Sequence, residues 1–369
     1  MHRTNRKFAQ LSFLIVVVLV FVSFVGCGGG EQSSPGSSTQ PPEPPKPFAP
    51  WQGLIALRYA PNYDNACLWF ISPDNTSRLI TDNAYWYGPI RWSPDNDYLA
   101  FPKSSSSYAL ADRTGAIIKS YPVGGGETIA WSPDSVYFLA GRYYNGIWKF
   151  GIDGTYDKLL TSYSATYDHS LTVSKDGQWV YFIHHEWGSM CWIYRIRTAS
   201  LLAGASYADC ELLFYITTGH DEEIQFLEIP GGKFIMAYGY DTAIYVMDPQ
   251  AKTLIKKMDQ GLTYMRISPD GKYLATLYYN SFSVIDLSTW QIRYGFDSDY
   301  TKSFESFAWS PNSDALVVAE DDGNVDIWRF DDQRLQTIFE ASKSIAAKSA
   351  GVQPRSVYGE QTVSVTWIR

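Results

Sequence analysis

The sequence has few cysteines, no excess of positive charge and no long apolar segment beyond its first residues. Four cysteines in 369 residues exclude a small domain held together by disulfides. With 30 Lys and Arg against 38 Asp and Glu, the chain repels phosphate, so we expect no nucleic-acid partner. No nucleophile elbow, phosphate-binding loop or spaced zinc site is found. We therefore expect no cofactor and no metal, and we favour a function other than that of an enzyme.

The single long apolar run, Leu11–Val25, lies at the N-terminus behind a short positive segment (Arg3, Arg6, Lys7). It is shorter than the roughly 20 residues of a membrane-spanning helix and has the length of a signal-peptide core. The run ends in Phe24-Val25-Gly26-Cys27, which resembles a bacterial lipobox. We predict a signal peptide over residues 1–26 and a lipid on Cys27. The alternative is an uncleaved N-terminal membrane anchor.

After Cys27 the composition changes to Gly, Ser, Gln and Pro, and this lasts to Pro50. Its second half favours extended polyproline II, which is typical of a spacer between a membrane and a domain. Residues 27–50 are thus predicted to be a linker and residues 51–369 the folded domain. The predicted location is the cell envelope, with the chain anchored to a membrane by its lipid and facing the periplasm or the exterior.

An internal repeat dominates the rest of the chain. Its marker is a bulky residue followed by Ser-Pro-Asp or a variant, with a short strand before it and an apolar strand after it. Five copies begin at Trp92, Trp131, Val173, Ile267 and Trp309, and Ile229-Pro230-Gly231-Gly232 is a degenerate sixth. The proline position of the marker falls at Pro94, Pro133, Lys175, Pro230, Pro269 and Pro311. Most of these intervals are close to the roughly 40 residues that are typical of one four-stranded propeller blade.

The marker itself has the chemistry of a tight turn. Proline sets the φ angle of the second turn position, Asp or Asn binds the turn backbone, and Gly177 and Gly271 supply left-handed geometry. These aspartates are therefore interpreted as structural and not catalytic. Ser72-Pro73-Asp74 lies much less than one repeat before the next marker at Pro94, so we place it within a blade.

The two ends of the domain complement each other. Leu54–Leu57 resembles a second strand without its first, and Ser364–Trp367 resembles a first strand without its second. Paired, they complete a seventh blade and close a ring, which removes exposed sheet edges. The predicted fold is therefore all-β, a seven-bladed β-propeller closed by its N- and C-terminal strands. The segment 341–362 lacks the repeat and is predicted to be either a disordered connection or a lid.

These Trp-Ser-Pro-Asp units, each followed by an apolar strand, resemble those of the TolB-like, WD-repeat-like propellers over about residues 53–369. The resemblance implies the fold and says little about function, because such propellers serve as scaffolds, receptors and occasionally enzymes. The fifth unit departs from the pattern, as does the long interval between Lys175 and Pro230 in the fourth. In that fourth unit Cys191 and Cys210 are predicted at opposite ends of a hairpin, too far apart for a disulfide.

Aromatic and acidic residues concentrate in the predicted loops of one face. Tyr and Trp offer large contact areas with a polar group, which suits protein interfaces and sugar stacking alike. The candidate binding residues are Tyr85, Trp86, Tyr87, Tyr144, His185, Trp187, Tyr240, Tyr279 and Asp299. The alternative interpretation is that many of these rings fill space between blades.

Histidines are the only further catalytic candidates. His184 and His185 follow a second strand, and His169 and His220 are predicted in loops that bound the same blade. Some pectate-fragment lyases on similar propellers hold a metal with histidines, although neighbours in a strand point to opposite faces. We favour solvated loop histidines. The predicted function is a monomeric protein-binding or scaffold module of the envelope. The alternative is a carbohydrate-binding protein or a metal-dependent polysaccharide lyase acting on an envelope glycan.

Overall fold

The structure is a computed structural model that describes the folded domain but not the N-terminal segment. The described residues are 50–60, 65–123, 128–142, 146–161, 166–186, 190–217, 225–238, 243–260, 264–278, 280–298, 303–331, 333–341, 343 and 363–369. The predicted signal peptide, Cys27, nearly all of the linker and most of the segment 341–362 lie outside these residues. Within the described part of the chain, no helix is long and apolar enough to cross a membrane.

In these residues, 28 strands form seven antiparallel sheets of four strands, which are the blades. Blade 1 contains β28 (Val363–Ile368), β1 (Leu54–Tyr59), β2 (Ala66–Ile71) and β3 (Ser77–Ala84). Blade 2 contains β4 (Arg91–Trp92), β5 (Tyr98–Ser104), β6 (Ser107–Asp112) and β7 (Ile117–Tyr121). Blade 3 contains β8 (Ala130–Trp131), β9 (Tyr137–Arg142), β10 (Gly146–Gly151) and β11 (Tyr156–Leu160).

The other four blades follow in the same order from the inner to the outer strand. Blade 4 contains β12 (Thr166–Val173), β13 (Trp179–Glu186), β14 (Met190–Arg197) and β15 (Glu211–Thr217). Blade 5 contains β16 (Gln225–Ile229), β17 (Lys233–Tyr238), β18 (Ala243–Asp248) and β19 (Thr253–Asp259). Blade 6 contains β20 (Tyr264–Ile267), β21 (Tyr273–Tyr278), β22 (Ser281–Asp286) and β23 (Gln291–Asp297). Blade 7 contains β24 (Phe304–Trp309), β25 (Ala315–Glu320), β26 (Val325–Arg329) and β27 (Leu335–Phe339).

Blade 1 is built from both ends of the domain and closes the ring. β28 pairs antiparallel with β1, with Ile55 opposite Trp367 and Leu57 opposite Val365. The Trp367 indole donates to the Gln52 carbonyl over 2.8 Å, and the same ring meets Trp51 edge-on at 5.7 Å. On its other side β28 packs against β24 of blade 7. The predicted seven-bladed propeller and its closure by the terminal strands are confirmed.

The markers form the turns between first and second strands. In blade 2 the Ser93 hydroxyl accepts the Tyr98 backbone N–H over 3.0 Å and donates to the Asp95 carboxylate. The same pattern recurs around Ser174 and Ser268. The residue that follows the aspartate adopts a positive φ, 67° at Asn96 and 70° at Gly177. The repeated residues therefore form and stabilise the turns between first and second strands, as predicted.

The two ends of each blade define two faces of the ring. Because successive strands are antiparallel, the turns between first and second strands lie at the same end as those between third and fourth strands; we call this end the turn face. The opposite end, where each inner strand begins, is the mouth face. Adjacent turns touch on the turn face: the Asp95 N–H donates to the Ser135 hydroxyl of the next blade over 3.1 Å. Trp51 also lies there, bound to Asn75 in the turn between β2 and β3 that contains Ser72-Pro73-Asp74.

Apolar side chains fill the space between neighbouring blades. Phe138 and Phe150 stack at 4.8 Å and pack against Tyr108 between blades 2 and 3. Between blades 6 and 7, Phe282 contacts the fully buried Trp328 at 4.7 Å. These aromatic side chains therefore fill the space between neighbouring blades.

Blade 4 carries an insertion that accounts for the long interval between Lys175 and Pro230. A short helix, α1 (Thr198–Leu202), and a 3₁₀ turn over Tyr207–Asp209 lie between β14 and β15. Cys191 pairs with Ile216 at one end of this hairpin, whereas Cys210 precedes Glu211 at the other. The two cysteines are thus separated as predicted, and neither forms a disulfide.

Candidate functional site

The inner strands of blades 2 to 6 surround a cavity in the central channel. Its volume is about 330 Å³, at the small end of the range for ligand pockets. Tyr87, which precedes β4, and Gln225 and Tyr264, with which β16 and β20 begin, are part of its wall, so the cavity reaches the mouth face. Its polar lining residues are Tyr87, Arg91, Trp92, Thr128, Trp131, Ser170, Thr172, Gln225, Tyr264 and Arg266.

Two arginines bring positive charge to this cavity. Arg91 in β4 and Arg266 in β20 come from blades that are separated by three blades on one side and two on the other. Each guanidinium donates through Nη1 to the backbone carbonyl of the preceding residue, Ile90 or Met265, over 3.1 Å. Arg266 also donates to the Tyr264 hydroxyl, and its guanidinium lies 4.0 Å from the centre of that ring. These contacts hold both guanidinium groups at the cavity wall.

Three consecutive aromatic residues stand beside the cavity, in the connection from β3 to β4. Neighbouring rings of Tyr85, Trp86 and Tyr87 are 5.6 Å and 5.4 Å apart, and all three side chains are partly exposed. Trp86 packs on the core between blades 1 and 2, while Tyr87 lines the cavity. We call this segment the aromatic loop.

A buried arginine positions the aromatic loop. Arg58 in β1 is fully buried, and it donates through Nη1 to the Tyr85 carbonyl over 3.1 Å. Burial removes its hydration and lowers the pKa of its guanidinium to about 9. The Tyr85 N–H in turn donates to the Pro102 carbonyl of blade 2 over 3.0 Å. The loop backbone is therefore fixed from two blades.

Of the nine predicted binding residues, three lie together, one is buried inside blade 4, and five lie outside the described residues. Tyr85, Trp86 and Tyr87 form the aromatic loop. His185 lies in β13 with 1% of its surface exposed, so it is part of the blade interior and not of an open surface. The remaining candidates lie outside the described residues: Tyr144, Trp187, Tyr240, Tyr279 and Asp299.

The histidines differ from the prediction of solvated loops. His169 belongs to β12, and His184 and His185 belong to β13, because these two strands are longer than predicted. His184 Nδ1 hydrogen-bonds the Tyr207 hydroxyl at 2.9 Å, within the insertion of blade 4. His185 points to the other side of the sheet, as alternation along a strand requires. His220 lies outside the described residues, within which no group of three or more His, Cys, Asp or Glu is placed to hold a metal.

The mouth face of blade 7 carries acidic groups that the sequence did not single out as a cluster. Burial and the nearby Asp321 carboxylate raise the pKa of Glu305 to about 7. Burial and Asp322 raise the pKa of Asp321 in the same way. Burial and these two aspartates raise the pKa of the Tyr59 hydroxyl to about 12. Blade 7 contributes no residue to the lining of the cavity among those described.

Sequence reasoning missed the two cavity arginines. Each stands immediately before the bulky residue of its marker, where the other copies have Ala130, Thr172, Glu228, Ala308 and Thr366. This position lies on an inner strand and alternates with a residue that packs between blades. Aligning the copies at this one position would have revealed two arginines among mostly small residues.

Comparison with known proteins gives the architecture and no family. No protein-family model matches the chain, and no curated protein matches it. Among solved structures, a chain of the mitotic checkpoint complex is 14% identical, with a TM-score of 0.56, and the match covers 81% of this chain and 98% of that one.

Two further structures show the same similarity. The β-propeller domain of Myceliophteria thermophila Cps50 (Swd1) is 11% identical, with a TM-score of 0.52, over 68% of this chain and 85% of that one. Kuenenia stuttgartiensis hydrazine synthase is 18% identical, with a TM-score of 0.52, over 66% of this chain and 77% of that one. At these identities the similarity concerns the fold alone: a seven-bladed β-propeller with WD40-like structural neighbours.

Proposed function

We propose that this protein is a non-enzymatic binding module of the cell envelope, tethered through a lipid on Cys27, that docks a protein partner on its mouth face. The observation that carries the proposal is the aromatic loop. Three adjacent rings are partly exposed beside an open cavity, and their backbone is held by Arg58 and Pro102. Rigid aromatic side chains around a pocket are typical of the residues that dominate protein interfaces.

The N-terminal sequence supports the tether. The apolar run of residues 11–25, the lipobox-like Phe24-Val25-Gly26-Cys27 and the Pro-rich linker occur in the order that a lipoprotein requires. Trp51, near the beginning of the described domain, lies on the turn face, bound to Asn75. The folded domain thus begins on the turn face, at the end opposite the aromatic loop. The resemblance of the Trp-Ser-Pro-Asp units to those of TolB-like propellers supports the envelope role in this proposal.

Carbohydrate binding is the second candidate function, because the same run of rings can stack on sugars. A lyase would need histidines that converge on one metal, yet His184 is bound to Tyr207 and points away from His185. Binding therefore has more support than catalysis on this fold.

The test is cross-linking of the lipoprotein in its own envelope, followed by identification of the captured molecule and titration of the purified pair. We expect a protein partner whose affinity falls at least tenfold in Trp86→Ala, as for an interface hot spot. Tyr215→Ala is the matched control, since this ring is 54% exposed on the outer strand of blade 4. Equal affinity of wild type and Trp86→Ala would contradict the proposed face, and capture of a glycan alone would favour the second candidate.

The tether is tested separately with Cys27→Ser. We expect the N-terminal peptide of the wild-type protein to begin at Cys27 and to carry a lipid mass, and the variant to keep residues 1–26 and to lose the lipid. Wild-type protein that keeps residues 1–26 and carries no lipid would favour an uncleaved anchor.

A further inference from the structure

The blade that closes the ring lacks the covalent turn that the other six blades have. In blades 2 to 7 the marker joins the first strand to the second. In blade 1 these two strands, β28 and β1, are the last and the first of the described strands, and no marker turn joins them. Their pairing is therefore completed by other contacts on the turn face. Residues 51–53, which precede β1, supply these contacts, and we call them the latch segment.

Trp51 anchors the latch segment in the core between blades 1 and 7. Its side chain is 5% exposed and packs in the same core as Trp69 of β2 and Val365 of β28. Its Nε1 donates to Asn75 Oδ1 over 3.2 Å, and its ring meets that of Trp367 edge-on at 5.7 Å. One side chain thus contacts both the closing strand and the turn between β2 and β3.

Trp367 is the marker tryptophan of blade 1, and its hydrogen bond differs from those of two equivalent tryptophans. Trp131 donates its indole N–H to the Arg91 carbonyl of the preceding blade over 3.1 Å, and Trp309 does the same towards blade 6 over 2.9 Å. Trp367 instead donates to the Gln52 carbonyl over 2.8 Å, in the latch segment of its own blade. The closing strand is therefore bonded to the latch segment where these two blades are bonded to a neighbouring blade.

Gly53 lets the backbone of the latch segment approach the end of the closing strand. Its φ is +99°, and an added Cβ would collide with the carbonyl oxygen of Ile368, the last residue of β28. A backbone atom cannot move aside by rotation of a side chain, so a larger residue at this position displaces either the latch segment or β28. Gly177 also has a positive φ, but it has room for a Cβ.

We propose that the latch segment and Trp367 form a latch that takes the place of the missing turn, and that its release lets β28 leave the ring while the other blades stay folded. Elements that are held by few contacts open locally before the whole domain unfolds. Release of β28 leaves β1 with an open edge, which a closed ring avoids. Arg58 of β1 lies opposite Ser364 in this pair and positions the aromatic loop, so the latch on the turn face supports the site on the mouth face. Only this last link rests on the proposed function.

The test is hydrogen exchange of the purified protein without a partner, followed by mass spectrometry. Exchange of β28 is compared with that of β13, three blades away. Trp51→Ala should accelerate exchange of β28 about a hundredfold, as for truncation of a buried tryptophan, and leave β13 at its wild-type rate. Trp367→Phe should accelerate it about tenfold, because one hydrogen bond is lost. Trp131→Phe makes the same change in blade 3 and is the matched control, which should leave β28 unchanged.

Two glycine variants form a second matched pair. Gly53→Ala and Gly177→Ala both place a Cβ at a positive φ, but only the first meets the backbone of β28. Exchange of β28 should therefore rise in Gly53→Ala and stay at its wild-type rate in Gly177→Ala. Trp51→Phe serves if Trp51→Ala does not fold. It keeps a ring but loses the N–H that binds Asn75, and it should accelerate exchange of β28 about tenfold.

The pattern of exchange decides the outcome. Acceleration confined to β28 and its partner β1 supports the latch. Equal acceleration of β28 and β13 would show that these contacts stabilise the whole domain, and it would overturn the proposal. Unchanged exchange of β28 in both Trp367→Phe and Gly53→Ala would overturn it as well. If Trp86→Ala keeps its affinity for the captured partner while Trp51→Ala releases β28, the proposed function fails and the latch stands.

Discussion

Three aspartates in turns of the turn face and two acids of blade 7 on the mouth face differ in how the fold shifts their pKa values. On the turn face, hydrogen bonds from Thr76, Thr155 and Ser288 within each residue's own turn lower the pKa values of Asp74, Asp153 and Asp286. On the mouth face, burial and neighbouring carboxylates raise the pKa values of Glu305 and Asp321. The hydrogen-bonded carboxylates of these three aspartates stabilise turns on the turn face. Ionisation of Glu305 and Asp321 on the mouth face, by contrast, lowers the stability of the fold.

Of the changes considered, removal of the closing strand β28 should have the largest effect on the stability of the folded domain. Deletion of residues 363–369 exposes the edge of β1, uncovers the surface of β24 against which β28 packs, and removes the buried side chains of Val363, Val365 and Trp367. We expect loss of most of the stability and no cooperative unfolding near the wild-type temperature, measured by calorimetry. An unchanged melting transition would contradict ring closure as a main source of stability.

Neutralising Glu305 should show the cost of burying charge on the mouth face. Its pKa is about 7 in the folded protein and about 4.5 in the unfolded chain, so the folded state holds a proton that the unfolded chain loses. Stability from this group is fully present below pH 4.5 and is lost as pH rises through 7. Glu305→Gln should therefore gain on the order of 2–3 kcal/mol over wild type at pH 8 and nothing at pH 4.

This difference is measured by urea denaturation across the pH range. Asp74→Asn on the turn face is the opposite control, because a carboxylate with a lowered pKa stabilises the fold above its unfolded pKa. A gain for Glu305→Gln that is equal at pH 4 and pH 8 would show that repulsion and burial of charge are not its cause.

Ser132→Ala should show how much one turn contributes to the free energy of unfolding. The Ser132 hydroxyl accepts the Tyr137 N–H over 3.1 Å and donates to the Tyr137 carbonyl over 2.8 Å, and the residue is 2% exposed. Its loss leaves buried backbone groups with one partner fewer, so we expect about 1–2 kcal/mol of destabilisation, measured by urea denaturation. The affinity for the partner captured by cross-linking should stay at its wild-type value. A weakened affinity would mean that the two faces are coupled.

Gly177→Ala should have the smallest effect. Gly177 has a φ of +70°, and an added Cβ would meet only Pro133 at an ordinary 3.7 Å. The cost in the free energy of unfolding is thus backbone strain alone, about 1 kcal/mol. Ser135 and Ser313 adopt the same φ region at the corresponding position in other blades. A loss of several kcal/mol in the same denaturation measurement would indicate that this turn also needs space that Pro133 denies it.

Features of the fold that repeat in every blade could be predicted from the sequence, whereas features that occur once could not. Blade number, the turns at Ser93, Ser174 and Ser268, and the pairing of Leu54–Leu57 with Ser364–Trp367 were predictable, because a turn chemistry repeats at regular intervals. The insertion over 198–209 was not predicted as helical, because it occurs once and has no repeat to compare with. The two histidines of β13 were predicted in a loop because nothing local marks where such a long strand ends.

The candidate site was predictable only in part. The aromatic loop was found by composition, since Tyr85, Trp86 and Tyr87 are adjacent in the chain. The two cavity arginines were not, because Arg91 and Arg266 line one cavity only once the ring is formed from blades far apart in the sequence. A repeat search emphasises what the copies share, and a binding site uses what they do not share.

The register of the closing strand has a mechanical consequence. Leu54 lies opposite Ile368, so the chain enters and leaves blade 1 at the same end of one antiparallel pair. A force that pulls the two ends apart therefore loads the hydrogen bonds between β1 and β28 one after another, as in a zipper, and not all at once. The ring should therefore open under low tension when it is pulled by its ends, and within the β1–β28 pair the bonds at Leu54 should break before those at Tyr59.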